Sequence, residues 1–165
     1  MDLLREKGFR GLRVADVARL AGVPKSSIYR RWPSLTELAV DAMAHTVGHL
    51  DPTPSTDPGA DLDALLVAVH AALTAPLGPA LLQVGIDLLD RPEVAASYRR
   101  RLIDPLRDAA IDALRRGNDQ GRWQVADPAL TVDMVAGALV YRLLVLHEEP
   151  ALDELRAGLQ RLTQG

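Results

Sequence analysis

Leucine and alanine dominate the apolar content of this chain, and that bias limits what it can fold into. Its 165 residues include 28 Leu and 24 Ala against 14 Val and 4 Ile. Leu and Ala are strong helix formers, whereas strands draw on β-branched and aromatic residues. Aromatic residues number only six. The expectation is an all-α protein with an aliphatic core. Its length suits one domain, or a small module fused to a larger one. Cysteine is absent, which removes disulfides, thiolate metal sites and a cysteine nucleophile. The stretch Met1 to Arg10 is charged and does not read as a signal peptide. The most apolar segment, Met134 to Leu146, is 13 residues long and carries Arg142, short of the roughly 20 residues that a spanning helix needs. A soluble, cytoplasmic protein with no membrane partner is expected.

Proline and glycine divide the helical pattern. Pro52, Pro54 and Pro58 fall in the Thr-, Ser- and Asp-rich run Asp51 to Gly59, which reads as a loop and as the main internal boundary. It separates residues 1–50, with eight Lys/Arg and five Asp/Glu, from residues 51–165, with eleven and seventeen. A basic module is thus joined to an acidic body, although the whole chain carries only −3. Beyond the loop, Leu62, Leu65, Leu66, Val69 and Leu73 keep the helical period. Ala80 to Leu89 is apolar on two faces, which predicts a central helix. Glu93 to Arg116 is helical with Pro105 inside it: either Pro105 kinks one helix, or Asp104 caps a new one. Gly117 to Asp127 reads as a loop and Pro128 to about His147 as a helix. Leu152, Leu155, Leu159 and Leu162 form the stripe of a last helix.

The first fifty residues carry the most informative pattern. Arg13 to Ala21 reads as a short helix with Val14, Val17, Ala18 and Ala21 on one face. Gly22 stands where a helix ends in the left-handed region. Val23 reads as the apolar plug of the turn, and Pro24 as the first position of a second helix running from Lys25 to Trp32. Ile28 and Trp32, four apart, face inward. Lys25, Ser26, Ser27, Tyr29, Arg30 and Arg31 are left outside: hydroxyls and cations that suit phosphate, with Arg also able to take a guanine edge. Ser34-Leu35-Thr36-Glu37 is a capping box that opens a further helix through about His49. Periodicity alone leaves two readings open, a DNA-binding helix-turn-helix and a helical hairpin with a solvated charged face.

Gly8-Phe9-Arg10-Gly11, Val14-Ala15-Asp16-Val17-Ala18, Ala21-Gly22-Val23 and Ser27-Ile28-Tyr29-Arg30-Arg31-Trp32-Pro33-Ser34 resemble, in order and spacing, the DNA-binding region of the tetracycline-repressor (TetR) family. Gly121-Arg122-Trp123 and Gly137-Ala138-Leu139-Val140-Tyr141-Arg142-Leu143-Leu144-Val145 resemble one of its C-terminal variants. The resemblance implies a helix-turn-helix DNA-binding domain at 1–50 and a helical ligand-binding and dimerisation domain at 51–165. Lys25 to Trp32 would be the recognition helix, one per subunit, entering major grooves one turn of DNA apart. By position, Arg13, Lys25, Ser26, Tyr29 and Arg31 are the implied phosphate contacts, with Ser27 and Arg30 as base readers. The implied partners are double-stranded operator DNA, a small-molecule effector and a second copy of the chain. No cofactor or metal is implied. This sequence departs from the family in three places. About ten helical residues that usually precede Leu3-Leu4-Arg5-Glu6-Lys7 are missing. Leu35 replaces a phosphate-contacting Lys, and Pro24 replaces a capping Ser or Thr.

In the C-terminal body, Val132 to Leu146 is apolar nearly all round and should be covered on two sides. With the 3–4–3 spacing of the last leucines, this predicts a two-fold interface through the last two helices. Effector-lining candidates among the middle helices are His70, Gln83, Asp87, Tyr98, Trp123, Met134 and Tyr141, although each also has a plain structural role available. No enzyme motif is present. Asp41, His45 and His49 recur every four residues, a spacing that can ligate a metal, but no further ligand follows at fixed spacing and a polar helix face explains them as well. The reading is a ligand-responsive transcriptional regulator, most simply a repressor and not an enzyme. Its alternatives are a dimeric interaction protein of the same fold that has lost tight DNA binding, and a metal-dependent sensor or enzyme.

Overall fold

The structure, a computed structural model, describes residues 3, 11–47, 53–76, 78–87 and 92–164. Among these residues every regular element is helical and no strand occurs. The order is α1 (Val14–Ala21), α2 (Lys25–Arg31), α3 (Leu35–Val47), α4 (Pro58–Thr74), α5 (Gly78–Asp87) and α6 (Pro92–Tyr98). Then follow a π-helical segment (Arg99–Ile103), α7 (Asp104–Asp119), α8 (Pro128–Tyr141), a second π-helical segment (Arg142–Leu146) and α9 (Leu152–Gln164). The opening Leu4–Lys7 stretch and the end of α3 toward His49 lie outside the described residues.

The chain packs as two compact units. One comprises Met1–His49 with Ala75–Leu102, the other Leu50–Thr74 with Ile103–Gly165. A division by packing therefore differs from the chain-order boundary near residue 50. The reason lies in α5 and α6, whose Leu81, Ala95 and Tyr98 join Leu12, Val40, Met43 and Leu102 in one apolar cluster. Burying Met43 and Val40 almost completely contributes roughly 1.5–3 kcal/mol each, so these elements sort with the N-terminal helices. In this unit Leu81 is buried, Leu82 is half-buried and Ile86 is exposed, while Leu88 and Leu89 of the expected apolar faces lie outside the described residues.

The second unit is a helical bundle. Leu62 of α4, Ala113 and Leu114 of α7 and Val125 form one buried cluster. Leu66, Leu139 and Leu155 from α4, α8 and α9 form another. Paired charges tie the same helices: Arg156 to Asp63 through two bonds of 2.6 and 2.9 Å, Arg107 to Asp133 through two of 2.7 and 2.8 Å, and Arg116 to Asp61 at 2.6 Å. Asp57 and Asp127 cap α4 and α8 by accepting from backbone N–H groups of Gly59 and Leu130, each ahead of a Pro at the first helical position.

One local expectation is corrected, and one open choice is decided. Residues Gly117–Asp119 belong to α7 and not to a loop. Around Pro105 the chain stays helical instead of restarting at a capping Asp104, because Ile103 before it is already helical at φ −100°, ψ −56° and no side chain caps the start. Proline removes an N–H and crowds the carbonyl of the preceding turn, and the five residues before Asp104 widen into a π turn. The helix expected from Pro128 to about His147 is present, and its apolar stretch extends beyond the 13 residues of Met134 to Leu146. Pro128–Leu146 runs unbroken for 19 and is long and apolar enough, by length and composition, to cross a membrane. Its charges are instead engaged by the bundle: Asp133 holds Arg107 of α7, and Arg142 holds Glu154 of α9 and Glu148.

Candidate nucleic-acid interface

Helices α1 and α2 are joined by a turn that the backbone closes by itself. Gly22 adopts φ 64°, ψ 28°; its N–H and that of Val23 donate to the carbonyls of Arg19 and Ala18. This 5→2 and 6→1 pairing satisfies the end of α1 and needs a residue without Cβ strain. Pro24 takes the capping position of α2 in extended geometry, and the helix proper starts at Lys25. The expected plug is absent: Val23 is 39% exposed, and Ala21 is exposed as well. The turn is filled from elsewhere. Val14, Ala18 and Ile28 form the buried centre, and Val17, Trp32, Leu35 and Leu38 pack around it. With α3 supplying Leu35 and Leu38, no side chain of the tight turn has to point inward.

Ile28 fixes the inner face of α2 and leaves the opposite face to solvent. Lys25, Ser26, Tyr29, Arg30 and Arg31 are all exposed, with Tyr29 at 51%. Ser27, one of the expected base readers, is half-buried. Arg13 is exposed at the residue preceding α1, and its carbonyl accepts from Asp16 and Val17. The expected contact residues on α2 are thus gathered on one short rod, with no acidic residue in its first turn. Arg31 is held over the Trp32 ring at 4.7 Å from Cζ to the centroid, a cation–π geometry.

At its C-terminal end the rod is fastened to α3. Trp32 Nε1 donates to Asp41 Oδ2 at 3.0 Å, and Arg101 donates to the other carboxylate oxygen. The indole hydrogen bond, followed by Arg101 and the nearby charge of Arg31, holds the Asp41 carboxyl below its ordinary value. Both carboxylate oxygens of Asp41 are therefore engaged in this bridge. His45 is exposed, His49 lies outside the described residues, and no cluster of three metal-ligating groups occurs among the described residues. Sequence reasoning missed the bridge. The available signal was an inward indole, whose N–H wants an acceptor when buried; nothing in the chain pointed to Arg101. Ser34 accepts from the Glu37 N–H at 3.1 Å and caps α3 as the spacing predicted. Leu35 is half-buried and packs into two apolar clusters, so this position serves the core.

The effector candidates are divided between the units. Gln83, Asp87 and Tyr98 belong to the first, and His70, Trp123, Met134 and Tyr141 to the second. Three have their polar atoms committed. Tyr98 Oη donates to the Leu81 carbonyl at 3.1 Å, Trp123 Nε1 donates to the Leu114 carbonyl at 2.8 Å, and His70 Nε2 pairs with the Pro150 carbonyl at 2.9 Å. Burial raises the Tyr98 phenol above its ordinary value. Met134 and Tyr141 are 51% and 53% exposed on α8. The second unit holds a cavity of about 280 Å³ between α4, α9 and the loop after α7. Of the seven candidates, Trp123 alone lines it, together with Leu62, Leu66, Arg122, Arg156 and Leu159.

Comparison with known proteins turns this geometry into an assignment. Residues 1–42 match the model of bacterial regulatory proteins of the tetR family, and residues 52–161 match that of the tetracyclin repressor-like C-terminal domain. The chain belongs to the TetR family. As a TetR-family regulator it is 31% identical over 152 residues to the HTH-type transcriptional regulator YdeS of Bacillus subtilis (strain 168), covering 90% of this chain and 76% of that one. It is also 31% identical over 139 residues to the HTH-type transcriptional regulator AqdR of Rhodococcus erythropolis, covering 84% and 67%. The crystal structure of the TetR-family regulator SCO0332 superposes with a TM-score of 0.76 at 31% identity, covering 98% of this chain and 90% of that one. The all-α architecture with an N-terminal helix-turn-helix is that of the TetR family, and the protein is a helix-turn-helix transcriptional regulator.

Proposed function

We propose that this regulator is a cytoplasmic homodimeric repressor that holds operator DNA through α2 and leaves it when a small molecule occupies the helical body. Residues 1–50 serve DNA and 51–165 serve effector and partner. The carrying observation is the exposed face of α2, where Lys25, Ser26, Tyr29, Arg30 and Arg31 are held outward by a buried Ile28. Arg13, Lys25, Ser26, Tyr29 and Arg31 take phosphate, and Arg30, with Ser27 behind it, reads base edges. The second copy sits on α8. Leu130, Met134 and Tyr141 of α8 and Val145 of the π-helical segment that continues it are all more than half exposed in a single chain, a patch of the kind that marks a protein interface. Covering it with the same face of another subunit gives the two-fold symmetry that a paired operator requires.

The effector acts by favouring one spacing of the two recognition helices. The cavity beside Trp123 is the place in the second unit where it would enter. Gel-shift with DNA flanking the gene, at two salt concentrations, tests the core of this reading. A retained, salt-sensitive complex is the expected result; a dimer that retains no duplex points to the interaction role. The core position of Leu35, where a phosphate-binding cation is missing, is the observation that favours that second reading.

A further inference from the structure

The recognition helix α2 has seven residues, two turns that are marginal without outside support. Its N-terminal end is set by the Gly22 turn. Its C-terminal end is set by Trp32, which is stacked against Arg31 and hydrogen-bonded through Nε1 to Asp41. Asp41 stands on α3, and its second oxygen is taken by Arg101. Arg101 lies on the π-helical segment Arg99–Ile103, next to the last residue of the first unit, Leu102. Leu102 is buried in the same apolar cluster as Val40 and Met43, which stand one residue before and two residues after Asp41. One carboxylate thus joins the end of the DNA-reading helix to the turn where the chain leaves the first unit.

We propose that Asp41 is a positioning residue for DNA recognition: with Trp32 on one oxygen and Arg101 on the other, it transmits the placement of the Arg99–Ile103 segment to α2. The role rests on the reading that α2 enters DNA. Magnitudes separate it from a merely structural role. The Arg101 and Asp41 side chains are 51% and 34% exposed, and ion pairs that wet add little to stability. Removing Arg101 therefore leaves the fold standing and changes where Trp32 is held. A carboxylate that accepts two charge-assisted or indole hydrogen bonds at once is a cooperative unit. Loss of either donor removes the same positioning, so two losses do not add.

The test uses the full-length protein and two readouts. The indole N–H signal of Trp32, assigned by its disappearance in Trp32→Phe, should shift in both Asp41→Asn and Arg101→Met, while that of Trp123 stays in place. Arg101→Lys should return it toward its original position. In parallel, a duplex selected from a random pool by the wild-type chain is titrated with Trp32→Phe, Arg101→Met and the double variant. Each single change should weaken binding roughly five- to tenfold, and the double variant should be no weaker than the worse single one. Additive losses, or a Trp32 signal that responds to Asp41→Asn but ignores Arg101→Met, overturn the proposal while leaving DNA binding itself intact. A wild-type chain that selects no duplex overturns the regulator reading and the positioning role with it, even where the indole responses appear.

Discussion

The indole of Trp123 occupies the space that a side chain on Gly117 would need. A Cβ built at Gly117 would lie 1.9 Å from Trp123 Cζ2 and 2.0 Å from Cε2. The glycine sits inside α7, where it weakens the helix by about 1 kcal/mol relative to alanine. The compensation is tertiary: Trp123 packs against the cluster of Leu62, Ala113, Leu114 and Val125 and donates its N–H to the Leu114 carbonyl.

Gly117→Ala is therefore expected to destabilise the fold despite the better helix former. A rigid, hydrogen-bonded indole cannot yield cheaply, and overpacking with a lost bond should cost about 2 kcal/mol net. Urea unfolding of the two proteins measures it. A variant as stable as the parent would show that Trp123 does not rest there.

On DNA, Arg30→Ala and Lys25→Ala should behave differently. Arg30 as base reader predicts relaxed preference among operator variants. Lys25 as phosphate contact predicts a uniform loss for all sequences and a salt slope flatter by about one unit. Affinities for a panel of single-base operator variants at three salt concentrations decide it. Unchanged preference in Arg30→Ala would remove its assigned role.

The bare face of α8 makes a prediction about assembly. Met134, half exposed in one chain, becomes a central contact in the proposed dimer. Met134→Glu should place two carboxylates in an apolar interface and convert the dimer to monomer at micromolar concentration, with helical content retained. Sedimentation and far-ultraviolet circular dichroism read both. A Met134→Glu protein that still sediments as a dimer would move the interface elsewhere.

Acid should weaken the second unit through its paired aspartates. Asp61, Asp63 and Asp133 are held below the ordinary Asp value of 3.8, in each case first by a side-chain hydrogen bond: from Ser55 to Asp61, from Arg156 to Asp63 and from Arg107 to Asp133. A depressed folded-state pKa stabilises the fold above the unfolded value and ceases to do so as pH falls through the folded value. Stability should accordingly be level on this account from neutrality down to the ordinary Asp range and decline below it. Asp63→Asn should lower the urea midpoint at pH 7, and its deficit relative to the parent should shrink in acid. A deficit that persists unchanged at pH 2.5 would mean that the ionised pair with Arg156 is not its source.

Much of the DNA-facing module was legible because its determinants are local. Gly22 followed by Val23-Pro24, the inward Ile28 and the Ser34 cap each act within a few residues. The misreadings in the same module have a common origin. Val23 and Ala21 follow the apolar pattern that predicts an inward side chain, yet Leu35 and Leu38, from a later helix, fill that space. The effector candidates were the least legible. His70 and Tyr98 look functional in sequence, but their polar atoms are used on the Pro150 and Leu81 carbonyls, partners 80 and 17 residues away.

By itself the sequence determined the helical class, the breaks at its prolines and the exposed cationic face of α2, since backbone propensity and apolar spacing are properties of neighbouring residues. Only the tertiary structure decided that α5 and α6 pack with the N-terminal helices, that Gly117 stays helical beneath Trp123, and that Asp41 bridges Trp32 and Arg101. Those outcomes depend on which distant side chains arrive at the same place, and spacing along the chain carries no record of that.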